Sequence, residues 1–244
     1  HEIETNGIGY ADILFDMSDV QEEDLPYVGI LQSALGVIDT KKHGYGELFN
    51  EINMHTGGIA TSLELYNDVT KVKEKEFKAT FEIKTKALYD KLPFAFDMMG
   101  EILTESCLDD TKRMKEILAM LKSRLLMKFQ SSGHTTAALR ALSYASPSAK
   151  LKDMTNGVDF FRKVDWLDTH FEEEKEHLSE KLKELSVKLF RADRMMLSYT
   201  AAGEGLKGFE KMVQSLKDRL YTEPVEETPC IIQCEKKNEG FRTA

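Results

Sequence analysis

Apolar and polar positions alternate from Gly7 to Met17. Ala11, Ile13, Phe15 and Met17 fall on one face and Asp12 and Asp16 on the other, the period of a half-buried strand. A helix is expected from about Asp24, with Pro26 in its first turn and Val28, Leu31 and Leu35 as its apolar stripe. Gly36 and the polar run to Gly46 interrupt it. Tyr45 to His55 predicts a second helix with Leu48, Phe49 and Ile52 inward, ended by Thr56-Gly57-Gly58. Two alternating segments follow. Ile59, Thr61, Leu63 and Leu65 mark the first, and Phe77, Ala79, Phe81, Ile83, Thr85 and Ala87 the second, opposed by Lys78, Glu82, Lys84 and Lys86. The charged stretch between them is expected to be a hairpin connection.

Downstream the period changes to that of helices. Phe94–Glu105 is the first of this block. Asp109 or Asp110 is a natural cap for the next, whose stripe is Met114, Ile117, Leu118, Leu121 and Leu125. His134–Tyr144 is another, and Ser146-Pro147 opens one more. Gly157–Thr169 and a helix carrying Leu178, Leu182, Leu185 and Leu189 complete the block. Met195–Ala201 returns to a strand, and Leu206, Phe209, Val213, Leu216 and Leu220 predict a last helix. This order predicts an α+β fold, an antiparallel β-sheet with several helices packed on one face. Residues 1–222 are expected to form one repeat. The acidic Glu223–Thr228 is the boundary, making 223–244 a linker and the start of a following repeat. Residue 1 is His, and the tail stops without closing an element, so the chain reads as a segment cut from a longer protein.

With 33 basic and 42 acidic residues the net charge is −9, which argues against nucleic-acid binding because phosphates would be repelled. The mixed-charge runs Lys71–Lys78 and Glu172–Glu184 read as solvated faces. Cys107, Cys230 and Cys234 form no CxxC pair, which suits neither a zinc cluster nor a disulfide framework and fits a reducing compartment. No apolar stretch is long enough to span a membrane. The cytoplasm is the expected location, with a mitochondrial or plastid matrix as the alternative.

The candidate chemistry is sparse. Neither H-E-x-x-H nor H-x-x-E-H occurs. His170 and His177 are seven apart, about 10 Å along a helix, too far to be neighbouring ligands of one zinc. They read as part of a glutamate-rich surface helix. Gly57-Gly58 lacks the phosphate-loop spacing and reads as a turn. Gly203, Gly205 and Gly208 match G-x-G-x-x-G by letters, but no following strand completes a βαβ unit. Ser131-Ser132-Gly133-His134 lacks a nucleophile elbow, so serine is expected to cap a helix there. The methionines, Met98-Met99 and Met195-Met196 among them, read as adaptable core filler, with a peptide-facing role for some as the other reading.

Particular residues carry a resemblance to a known family. Leu25-Pro26-Tyr27-Val28, Gly36, Tyr45-Gly46-Glu47-Leu48, Ile52 and Thr56-Gly57-Gly58 running into a strand resemble the third repeat of presequence proteases, within the insulinase (pitrilysin-like) zinc metallopeptidases. Lys86-Ala87-Leu88 and Gly133-His134 are similar to the same region. Pro229-Cys230 and Lys236-Lys237-Asn238-Glu239-Gly240 look like the opening of the fourth repeat. The resemblance implies four homologous repeats in two halves that close around short unstructured peptides. Zinc is held by the first repeat, while the third and fourth form the opposite wall. It places the equivalent of the metal-bearing helix at Asp24–Leu35, with the three motif positions at Tyr27, Ile30 and Leu31. None of these binds zinc, so no catalytic residue, metal ligand or cofactor is assigned to this chain, and its substrate-binding residues are not fixed by sequence. Zinc belongs to the parent enzyme. The implied partners are the other repeats and a peptide, with the strand Ile59–Tyr66 as the expected peptide-facing element. An inactive, peptidase-like scaffold subunit is the alternative.

Overall fold

The structure is a computed structural model that describes residues 3–67, 70, 77–225 and 228–240. The charged connection at 71–76 lies outside the described residues. Strands β1 (Ile8–Asp16), β2 (Ile59–Asn67), β3 (Phe77–Leu88) and β4 (Met195–Thr200) form one antiparallel sheet in the order β2-β3-β1-β4. Register pairs Ile13 with both Ile83 and Leu197, and Phe15 with Phe81. Side chains alternate along each strand, so this register puts Ala11, Ile13, Phe15, Phe81 and Ile83 on one buried face.

Helices α1 (Leu25–Ala34) and α2 (Tyr45–His55) lie between β1 and β2. Then α3 (Leu92–Thr104), α4 (Thr111–Ser131), α5 (Gly133–Ser143), α6 (Pro147–Asn156), α7 (Val158–Thr169) and α8 (Phe171–Leu189) separate β3 from β4, and α9 (Phe209–Lys217) follows β4. The fold is α+β, as the periodicity predicts. Phe190, just past α8, meets Phe15 edge-on at 5.3 Å and Phe81 at 5.0 Å, joining the helical layer to the centre of the sheet.

Local signals explain the helix starts. Asp110 accepts the backbone N–H of Arg113 at 2.9 Å to cap α4, and Ser146 accepts that of Ala149 to cap α6. Two expectations fail. Phe49 is 62% exposed, because α2 leans on the core only through Leu48 and Ile52. Ser132 sits at the N-cap of α5 but its side chain makes no capping bond. Helix α5 follows α4 directly, and the Ser132 carbonyl takes the N–H groups of Thr135 and Thr136 instead.

Two polar locks hold the periphery. Glu101 of α3, almost fully buried, accepts Thr40 Oγ1 at 2.5 Å and pairs with His43 Nδ1 at 2.7 Å, ordering the loop before α2. Arg140 of α5 pairs with Asp153 (2.5 Å), Asp159 (2.7 Å) and Glu239 (2.5 Å), binding α6, α7 and the C-terminal segment together. The Tyr144 hydroxyl, Arg140 and Arg162 together hold the Glu239 carboxyl down to about 2. The same segment crosses the fold where Cys230 N–H donates to the Ser18 carbonyl at 2.9 Å.

Two outcomes are expected. Gly29 lets α1 approach α6 and α7: a Cβ there would lie 2.7 Å from Phe160 Cε2 and from the Thr155 carbonyl. Gly29→Ala should destabilise the chain by about 1–3 kcal/mol in urea unfolding, since backbone cannot yield as a side chain can. The bond to Glu101 raises His43 above its ordinary value. That stabilisation is complete below the unfolded imidazole pKa and fades as pH rises through the folded value. The Tm deficit of His43→Ala should therefore be larger at pH 6 than at pH 9.

Candidate functional site: the α1 position and the open sheet

Helix α1 carries the three positions that the sequence resemblance aligns with a metal motif. Tyr27 is 6% exposed, and Ile30 and Leu31 are fully buried. The Tyr27 ring stands edge-on to His177 at 6.3 Å, and Lys163 Nζ lies 4.6 Å from its centroid. Zinc takes imidazole, thiolate or carboxylate ligands. Two aliphatic side chains and one phenol do not fit such an ion. Among the described residues, no group of three or more His, Cys, Asp and Glu is placed to hold a metal.

The other sequence candidates disperse. His170 stacks on Trp166 at 5.1 Å and its Nδ1 bonds the Trp166 carbonyl at 2.9 Å, whereas His177 faces Tyr27. Gly58 has φ +100°, the left-handed backbone that the turn into β2 requires. Gly205 packs on Tyr89, and its carbonyl accepts the Tyr199 hydroxyl at 2.7 Å. Met98 and Met99 are buried as expected of core filler, but Met196 is 66% exposed.

Met196 belongs to the face of the sheet opposite the core. Register brings Tyr10, Asp12, Leu14 and Asp16 of β1 there, beside Lys78, Thr80, Glu82, Lys84 and Lys86 of β3. Ser62, Glu64 and Tyr66 of β2 and Met196 and Ser198 of β4 complete it. Its centre is a cross-strand polar cluster. Glu82, inaccessible to solvent, accepts the Tyr66 hydroxyl at 2.6 Å and the Thr80 hydroxyl at 2.8 Å. Lys84 Nζ lies 2.6 Å from its other oxygen and 3.4 Å from Asp12. Burial alone would raise Glu82, but the bonds from Lys84, Tyr66 and Thr80 outweigh it and leave the carboxyl below its usual range. The bond to Glu82 pushes the Tyr66 phenol up to about 12. Burial and the neighbouring Glu82 charge push Asp12 up. The strand alternation names these residues as polar, but their convergence needs the register, which sequence does not carry.

Lys84 is the cation shared by Glu82 and Asp12. Lys84→Met should cost roughly 1–3 kcal/mol at pH 7, a buried-pair loss reduced by the partial exposure of the ammonium. The Glu82 contribution is present above the unfolded carboxyl pKa and disappears as pH falls through the folded value. Urea unfolding should therefore show the deficit shrinking below pH 4.5.

The comparisons agree with this architecture. The pitrilysin crystal structure superposes with a TM-score of 0.63 at 15% identity, over 96% of this chain and 23% of that one. The peptidase M16 inactive domain from Pseudomonas fluorescens gives 0.58 at 14% identity, over 98% of this chain and 50% of that one. At such identities the likeness is one of fold. In sequence, Protein HypA of Clostridium perfringens is 31% identical over 100% of this chain and 25% of its own length. Presequence protease 1, chloroplastic/mitochondrial, of Arabidopsis thaliana is 25% identical over 92% of this chain and 20% of its own length. The chain thus spans a quarter or less of these relatives. No helix among the described residues is long and apolar enough to cross a membrane. The family profile for the associated domain of peptidase M16, subfamily C, matches residues 1–167, and with the fold above it shows that this chain belongs to that peptidase-associated family, a non-catalytic part of the insulinase-like M16 peptidases.

Proposed function

We propose that the chain is the third, non-catalytic repeat of a longer zinc-dependent metalloendopeptidase that degrades short unstructured peptides. In this reading residues 1–222 form the repeat, and 223–244 lead into the next one. The repeat supplies one wall of the substrate chamber, presenting the open sheet face and the edge strand β2 to the peptide. Its covered face packs its own helices, and its other partners are the remaining repeats of the same polypeptide. Catalysis and zinc belong to another repeat, and this one holds no catalytic or metal-binding residue.

One observation carries the reading. The helix in the metal-bearing position is buried along its length from Leu25 to Leu31 and offers Tyr27, Ile30 and Leu31 where ligands would stand. The similarity to one stretch of presequence proteases several times longer supports the division of labour. The acidic net charge and unpaired cysteines favour the cytoplasm, while relatives named mitochondrial or chloroplastic favour a matrix instead.

The purified 244-residue chain should cleave no unstructured peptide, with or without added zinc, and calorimetric titration should show no tight zinc site. Zinc-dependent cleavage by this chain alone would overturn the proposal.

A further inference from the structure

Two adjoining cavities run along the free edge of β2. The Met17 N–H donates to the Ala79 carbonyl at 3.0 Å, so odd-numbered residues of β3 turn their backbone groups to β1 and even-numbered ones to β2. Through the β2–β3 register, Thr61, Leu63 and Leu65 then turn theirs outward. Gln32 Nε2 donates to the Thr61 carbonyl at 2.9 Å. Among the described residues, nothing bonds the outward groups of Leu63 and Leu65.

The larger cavity, about 640 Å³, lies between this edge and helices α1, α4 and α6. Arg124 and Lys128 reach it from α4 and Lys152 from α6, and among the described residues no carboxylate lines it. The smaller, about 310 Å³, shares Gln32, Ser33, Thr61 and Arg124 with the first and continues to an apolar end at Val37, Phe49, Ile52 and Ile59. This gives a place to Phe49, which α2 leaves exposed together with Tyr45 and Met54.

Three cations converge on a cavity with no carboxylate in its described lining. Lys84, Arg140 and Lys181 stand in carboxylate pairs. Among the described residues Arg124, Lys128 and Lys152 do not. Arg124 makes one long contact, 3.4 Å to Ser33 Oγ, and Lys128 bonds only the neutral Asn156 at 2.8 and 3.2 Å. Burial and the Arg124 charge pull the Lys128 ammonium below its ordinary value. An anion in the cavity would relieve that repulsion.

We propose that this groove binds an extended peptide segment that pairs with the edge of β2, seats an apolar side chain against Phe49 and Ile52, and presents a carboxylate to Arg124, Lys128 and Lys152. Outward backbone groups suit a peptide rather than a free anion. The carboxylate is an acidic side chain or a chain terminus. The inference rests on the reading of this chain as a peptide-enclosing wall and specifies the peptide chemistry that the wall holds.

The test is fluorescence anisotropy on the 244-residue chain with short labelled peptides of one apolar core. One ends in acidic residues with an amidated terminus, one is neutral with a free C-terminus, and one carries lysines in place of the acids. The carboxylate peptides should bind and the lysine peptide should not, and the better of the first two identifies the carboxylate source. Affinity should weaken with salt and fall about tenfold or more in Arg124→Glu/Lys152→Glu. Both side chains lie on the surface, and an unchanged Tm verifies that the variant folds. NMR shifts on binding should map to Leu63, Leu65 and α4. Equal binding of the lysine peptide, or undiminished binding by the variant, would overturn the groove. Shifts confined to Tyr66, Glu82 and Met196 would overturn it too, while leaving the wall reading intact. Failure of every peptide to bind would remove both.

Discussion

Helix α1 must be apolar around its whole circumference from Leu25 to Leu31, and the rest of the fold is arranged around that requirement. It is enclosed by β2 and by helices α4, α6, α7 and α8, and its residues from Leu25 to Leu31 are all buried. A helix enclosed in this way has no polar stripe to turn outward. Gly29 gives its neighbours room to close, and Pro26 and Gly36 set its ends. Imidazole or carboxylate ligands at Tyr27, Ile30 or Leu31 would be buried polar groups among hydrocarbon, at a cost of several kcal/mol unless a metal offset it. The apolar side chains that close this core are also ones that cannot ligate a metal.

The sheet divides the remaining labour. One face is sealed by Phe15, Phe81 and Phe190 against the helices. The other is polar but not loosely so, since Tyr66, Thr80, Lys84 and Asp12 gather around a carboxylate that solvent does not reach. Such a network is stable only while each member has its partner. The result is a stiff, charged plate on one side of the domain, bounded at β2 by a strand edge with backbone groups to spare.

Much of this was legible in the sequence, for physical reasons that differ by element. The strand β1 announces itself because Ala11, Ile13, Phe15 and Met17 recur at period two between acids, and α4 and α8 because their leucine stripes are long. Phe49 was misplaced because helical period shows which residues share a face, but not how much of that face the neighbours cover. The Asp12–Glu82–Lys84–Tyr66 cluster and the Glu101–His43 lock were invisible because each joins residues far apart in sequence, through strand register or loop path. The cationic groove was hidden for the same reason: Arg124 and Lys152 look like ordinary surface residues until α4 and α6 are packed beside β2.

The central claim is that α1 is a closed core element rather than a degenerate, accessible site. Native-state hydrogen exchange tests this most directly. The amides of Val28 to Leu31 should exchange only through global unfolding, as slowly as those of Ile13 and Ile83 in the centre of the sheet. Exchange of α1 by independent local opening, as fast as the half-exposed α2, would contradict the account.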